Sequence, residues 1–282
     1  MPFEFRKLAN VGTRHPVMAR LSLQSGELLK WLDVEAEVRD EIGKLYMLSL
    51  TEHLLRCHEH RDTLFERLAK SVEEVGQHKD PRVREVPHVS GLDGIAEGFL
   101  VDVKKFLRDL LTVFQLTYGY EPKDASDLAD VKGRGYSDVG KWAESTFGPD
   151  DNLTAMLKAE ANWVTELVKM RNAVEHPADR SGTLTIRNVR LHPDGDGWVR
   201  PTWQRTGKPE QDILSDMDTA MDSLLTLAEE VLVAIVLKRR TFEHVTVFEV
   251  PEASRDPICP IRFVVNLEAS FAAKVAVSSP PP

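Results

Sequence analysis

Apolar residues return at three- and four-residue steps along four separate stretches, a periodicity that only amphipathic helices satisfy. The first stretch runs from about Asp33 to Val75 through Val38, Ile42, Leu45, Leu48, Leu55, Leu64, Phe65, Leu68 and Val72. It reads as one very long helix, or as two with a break near His60. The second is expected from about Ile95 to Tyr118, with Asp93 as its cap and Phe99, Val103, Phe106, Leu107, Leu110 and Phe114 on one face. The third carries Leu153, Met156, Leu157, Val164, Leu167 and Val168, starts from a cap at Asp150 or Asp151, and must stop before Pro177. The fourth is expected to open at Pro209 and to bury Ile213, Met217, Met221, Leu224, Leu225, Ala228, Val231, Leu232 and Ile235. Lys238-Arg239-Arg240 closes it, where positive charge suits the helix dipole.

Between these stretches the punctuation changes. Gln77 to Gly94 carries Pro81 and Pro87 and reads as a loop, and Gly119 to Pro149 is loop-rich with a short helix expected over Asp138 to Phe147. Thr183-Leu184-Thr185-Ile186 and Trp198-Val199-Arg200 flank Pro193-Asp194-Gly195-Asp196-Gly197, which signals a β-hairpin. His244 to Val250 and Ile261 to Leu267 read as two further strands. The fold class expected is mainly α, a four-helix bundle with a small antiparallel β appendage. Residues 1–32 then form an N-terminal extension and 33–240 the bundle, with a hairpin insertion at about 182–205. Residues 241–277 supply C-terminal strands packed on the bundle, and 278–282 (Ser-Ser-Pro-Pro-Pro) a disordered tail.

Composition narrows the function. A net charge of -9 argues against a general nucleic-acid coat protein, so any contact with nucleic acid must come from a local basic patch. The two cysteines, Cys57 and Cys259, form no CxxC pair, and no disulfide framework or zinc ribbon is expected. The start shows no signal-peptide pattern, and the longest apolar run, Val231 to Leu237, is too short to cross a bilayer. A cytoplasmic protein without membrane contact is the expectation.

The stretch that carries chemistry is Arg171-Asn172-Ala173-Val174-Glu175-His176, at the expected end of the third helix. On a helix Asn172 and His176 share a face, and Arg171 is offset by one residue. An arginine can hold a phosphate through paired hydrogen bonds, and a histidine titrates near neutrality and can move a proton. The Arg-x4-His spacing recurs at Arg187–His192 and Arg239–His244, so spacing alone selects nothing. In a strand, Arg187 and His192 are an odd number of steps apart and face opposite ways. Arg239 to His244 straddles the end of a helix. A plainer reading of the first copy stays open: Arg171 and Glu175 are four apart and can form an ion pair, and His176 can simply end the helix.

With Arg171, Asn172 and His176 in place on such a bundle, the chain resembles the HEPN superfamily, over about Asp33 to Arg240. The resemblance implies a metal-independent endoribonuclease in which two copies of the motif meet across a homodimer. It also implies a toxin–antitoxin or phage-defence setting, with RNA and an antitoxin or regulatory protein as partners. Catalysis would fall to Arg171, Asn172 and His176. The alternative within the family is a non-catalytic RNA- or nucleotide-binding or dimerisation scaffold. HEPN toxins silenced by nucleotidyltransferase antitoxins carry a tyrosine two residues beyond the histidine. Here that residue is Ala178, so tyrosine AMPylation at this position is not expected.

Arg187, Arg190, Arg200 and Arg205, with Trp203 among them, form a basic, aromatic hairpin that can hold single-stranded RNA by charge and stacking, or can equally be a solvated edge. His53, Cys57, His58 and His60 have ligand-like spacing, and His53 and Cys57 could share a metal with Glu52 or Glu59. No second ligand pair lies nearby in sequence, so a polar helix face is the expectation and no metal site is assigned. No Walker A loop, Gly-x-Gly-x-x-Gly, nucleophile elbow or His-Glu-x-x-His occurs, and no cofactor is expected.

Overall fold

A computed structural model of the chain describes residues 10–76, 85–194 and 197–267. The tail expected at 278–282 lies outside them. Helix begins earlier than the periodicity indicates. A π-helical turn at Met18–Gln24 runs directly into α1 (Ser25–Leu29), and Val17, Leu21, Leu28, Leu29 and Leu32 are all buried. Within the segment read as an extension, residues 17–32 therefore pack into the core. Its Leu32 bridges Arg240, and the Thr241 N–H donates to the Trp31 carbonyl at 2.9 Å, which zips it to the residues that follow the last helix.

The long first stretch holds together in a way that the pattern did not foretell. α2 (Ala36–Lys44), a π-helical segment at Leu45–Leu50 and α3 (Thr51–Gly76) follow one another with right-handed helical backbone at Lys44 and Thr51. His60 lies inside α3, so no break occurs there; the irregularity falls at 45–50 instead. A π turn inserts one extra residue without ending a helix, which shifts the buried face rather than removing it. Tyr46 uses that shift: fully buried, it donates its hydroxyl to the Ala228 carbonyl at 2.8 Å.

α4 (Leu92–Tyr118) contributes a strongly apolar face to the core, with Phe99, Phe106 and Phe114 fully buried. Its N-cap is left-handed Gly91, not Asp93, which sits in the first turn where a carboxylate favours the helix dipole. α5 spans Asp138–Phe147, capped by the Ser137 hydroxyl, and α6 spans Asn152–Glu175, capped by Asp151. A strand insertion follows. β1 (Leu184–Arg187) and β2 (Arg190–Leu191) run out, then β3 (Trp198–Val199) and β4 (Thr202–Arg205) return. β2 pairs with β3 around the expected turn, and β1 pairs with β4, so Ile186 lies opposite Trp203. β5 (Gln211–Asp212) adds to the other edge of β4, giving the order β1-β4-β5. That strand occupies the place where Pro209 was expected to start a helix. α7 (Ile213–Lys238) begins after it, capped by the Asp212 carboxylate, which accepts from the Ser215 N–H. β6 (Val245–Glu249) and β7 (Phe263–Leu267) close the chain as an antiparallel pair, with Val245 buried against the helices. α3, α4, α6 and α7 pack on one another around a single core, so the fold is mainly α with small antiparallel sheets. Among the described residues no helix is long and apolar enough to cross a membrane.

The chain ends are held by one carboxylate. Glu229 on α7 is 1% exposed and receives the Arg20 guanidinium through both Nε and Nη2, with Gln24 Nε2 at 2.7 Å. Gln24 Oε1 in turn accepts the backbone N–H groups of Arg262 and Phe263 at 2.6 and 2.7 Å. Removing one partner from a buried ion pair leaves the other charge desolvated and unpaired. Glu229→Ala is expected to cost about 3–5 kcal/mol of stability. Glu230→Ala, whose carboxylate meets Arg262 at 2.9 Å nearer the surface, should cost no more than about 1 kcal/mol. Urea midpoints of the two variants check the contrast, and equal losses would show that Glu229 is not the keystone.

Candidate functional site

α6 brings the motif to its end intact. The helix ends at Glu175; the His176 N–H still donates to the Asn172 carbonyl at 2.8 Å, but His176 is the C-cap, with non-helical φ -132° and ψ 73°, so the shared face expected of Asn172 and His176 is lost at the helix end. Pro177 cannot continue it, and the chain turns at Ala178, a non-glycine residue at φ 67°. Asp179 N–H bonds back to the His176 carbonyl at 3.2 Å, and the Ala178 and Gly182 N–H groups close the loop against the Gly182 and Asp179 carbonyls. Gly182 has to be glycine: at φ 77° a Cβ would meet Thr206 Cβ at 2.7 Å. The loop leaves the His176 side chain 65% exposed, and the hairpin does not cover it.

Arg171 is the buried half of the site, with its side chain 15% exposed. Both terminal nitrogens meet the Glu175 carboxylate, the i,i+4 ion pair that the sequence allowed. Burial pulls the guanidinium below its ordinary value, against the attraction of Asp124. Glu175 is shared. The oxygen that faces Arg171 lies 3.6 Å from His176 Nε2 and 3.9 Å from Lys104 Nζ on α4, and Lys104 pairs with Asp124 at 3.1 Å. Two cations, a histidine and two carboxylates therefore converge where the sequence indicated an arginine, an amide and a histidine. Lys104, Asp124 and the bridging role of Glu175 were not foreseen. Asn172 is partly buried beside them.

The other two spacings part company. Arg187 donates to Gln204 and Glu210 at 3.0 Å each, while His192 pairs with Asp194 at the hairpin turn. Arg239 donates to the Thr117 carbonyl at the end of α4.

The basic hairpin proves to be neutralised. Arg190 joins Arg187 on Glu210 at 2.7 Å, Arg200 meets Asp212 at 2.9 Å, and Arg205 meets Glu166 of α6 at 2.7 Å. The Glu210 carboxyl is held below its usual range by the Thr202 hydroxyl and the two arginines, against burial. Trp203 is 1% exposed and donates its indole N–H to Asp216 at 2.7 Å, so its ring is core and offers no face for a base to stack on. The exposed aromatic of the hairpin is Trp198.

The histidine-rich face of α3 also divides. His53 meets Asp109 at 3.1 Å and His60 meets Asp102 at 3.2 Å, both on α4, and Asp102 also takes Lys105 at 3.2 Å. Gly98 makes room for this, since a Cβ there would lie 2.5 Å from the His60 ring. Cys57 is buried, which pushes its thiol far up and leaves it unreactive. His58 points elsewhere, edge-on to His15 with ring centroids 4.7 Å apart. Among the described residues no three ligand-type side chains are placed to hold one metal ion. No family model matches the chain, and neither the curated proteins nor the solved structures yield a match.

Burial and the neighbouring His15 lower His58 from 6.5 to about 4. Its folded form resists protonation that the unfolded chain accepts, so stability is complete above pH 6.5 and is lost as pH falls towards 4. His58→Gln is expected to flatten that part of the stability–pH curve, measured as urea midpoints across the window. An unchanged slope would remove His58 from the acid sensitivity.

Proposed function

We propose that the chain is a HEPN-type, metal-independent endoribonuclease that acts as a homodimer, with RNA as substrate. The observation that carries this reading is the end of α6: an open His176 five residues from a largely buried Arg171, on a helix packed against α4 and α7. His176 takes the proton of a ribose 2′-hydroxyl, whose oxygen attacks the adjacent phosphorus. The P–O5′ bond breaks, and the second copy's histidine protonates the departing 5′-oxygen. Arg171 leaves Glu175 and donates to the phosphate oxygens as charge builds on them. Asn172 holds the histidine or the phosphate. The products are a 2′,3′-cyclic phosphate and a 5′-hydroxyl. DNA lacks the attacking group and is spared. A toxin–antitoxin or phage-defence role, with an antitoxin or regulatory protein as partner, belongs to the same proposal.

One observation favours a second reading. In the unbound chain Arg171 is engaged by Glu175, the arrangement expected of a non-catalytic RNA- or nucleotide-binding or dimerisation scaffold.

RNA cleavage in EDTA separates the two. Arg171→Ala and His176→Ala are each expected to lose at least about 100-fold in rate, with cyclic phosphate ends formed only by the parent. Folded, dimeric protein that leaves RNA intact would transfer the function to the scaffold reading. Glu175→Gln, which releases the guanidinium, is expected to tighten RNA binding by a few-fold, about the worth of a partly exposed ion pair. Weaker binding in that variant would mean that Glu175 positions the site rather than blocking it.

A further inference from the structure

The hairpin does not lie flat on α6. Between them opens a cavity of about 350 Å³, within the size range of small-molecule sites. Met170 and Pro209 contribute apolar wall, backed by the buried Trp203, and Glu166, Arg205, Lys208 and Asp216 line it with charge. It is separate from the Arg171–His176 site, although Met170 and Arg171 are neighbours in sequence.

Two cations and two carboxylates line this cavity, and both cations turn to the same carboxylate. Arg205 is 10% exposed, and its guanidinium donates to Glu166 at 2.7 Å and to the Ser181 carbonyl at 3.2 Å. Its Nε–H is buried with no acceptor. Lys208 reaches the same Glu166 at 3.0 Å, so two cations share one carboxylate. Burial pushes Glu166 up, but the hydrogen bonds from Arg205 and Lys208 outweigh it and hold the carboxyl low, fully charged and fully committed. The remaining acid, Asp216, accepts the Trp203 indole N–H at 2.7 Å, and burial, with Asp212 nearby, raises its carboxyl above the usual range. A buried donor without an acceptor is costly, and an arginine beside a lysine is a ready seat for an oxyanion. The apolar walls favour a flat, hydrophobic body on the same molecule.

We propose that this cavity binds a small aromatic oxyanion, a carboxylate or a phosphate ester, with its anion on Arg205 and Lys208 and its ring against Met170 and Pro209. The proposal does not rest on ribonuclease activity. The full chain would be titrated calorimetrically with phenyl phosphate, benzoate and inorganic phosphate. At least one aromatic anion is expected to bind with a Kd below about 1 mM, and inorganic phosphate at least about tenfold more weakly. The aromatic anion that binds better tells a phosphate ester from a carboxylate. Lys208→Ala, at a half-exposed position that should fold, is expected to weaken that ligand about tenfold, and Arg205→Lys at least as much. Lys30→Ala, at a surface pair on α1, should leave binding unchanged. The ligand should also alter tryptophan emission in the parent and do so less in Trp203→Phe. No binding of either aromatic anion up to about 10 mM would overturn the proposal. So would binding indifferent to Lys208→Ala, or inorganic phosphate binding as tightly as phenyl phosphate.

Discussion

A buried carboxylate on the last long helix joins the two ends of the described chain. Glu229 faces Arg20 and Gln24 from the N-terminal segment, and Arg262 from the start of the C-terminal sheet lies 3.8 Å away. A carboxylate in that setting is unfavourable unless each oxygen is satisfied, and here Arg20 and Gln24 do so, with Arg262 adding a nearby positive charge. The geometry propagates. Gln24 turns its other end to the first two N–H groups of the returning strand, and Tyr46 from the π-helical segment grips the carbonyl immediately before Glu229. Position along α7 is therefore set by three different parts of the chain.

What α7 fixes, α6 inherits. Lys238 at the end of α7 pairs with Asp151, the cap of α6, and lies over the Phe147 ring at 4.4 Å. The end of α7 thus lies at the start of α6, and the two helices run antiparallel. The C-terminal end of α6, with Arg171 and His176, is left at the far end of the pair. There the β insertion spans the distance back to the start of α7, and Arg205 and Lys208 tie it to Glu166, one turn before Met170. The insertion braces the side of α6 while leaving its end open.

Periodicity made the four long helices legible, and α5 fell within the expected bounds, because apolar spacing reports directly on a buried helical face. It failed where burial is polar. Arg20, Gln24 and Ser25 interrupt the apolar pattern of the first segment, yet Gln24 and Ser25 are buried and Arg20 nearly so. That segment therefore looked like an extension. The π turn at 45–50 was invisible for another reason: one inserted residue leaves a three- and four-residue rhythm almost intact. The hairpin turn was readable from Asp and Gly, but the third strand at 211–212 was not, since two residues carry no pattern. Cations were legible and their partners were not. Glu166, Glu210 and Asp212 meet the hairpin arginines only after folding, which turned an apparent RNA-binding face into a set of ion pairs. Trp203 misled similarly, because Thr202 and Trp203, adjacent on the central strand, are both buried and break the inside–outside alternation.

The engagement of Arg171 by Glu175 does not by itself decide between enzyme and scaffold, and magnitudes show why. An arginine four residues before a glutamate is the weaker orientation for a helical pair, and a carboxylate in the last turn opposes the helix dipole. Such a pair contributes about 0.3–1 kcal/mol when partly exposed, and Glu175 is 40% exposed. A phosphate held by both guanidinium nitrogens forms charge-assisted bonds roughly twice as strong as neutral ones. Were a phosphate to displace it, as the proposed function requires, Glu175 would keep Lys104 at 3.9 Å as a partner, so its charge would not be stranded. Burial of Arg171 acts on both partners: a desolvated guanidinium gains more from any anion than one bathed in water, so the feature that hides the arginine strengthens its hold on Glu175 and on a phosphate alike.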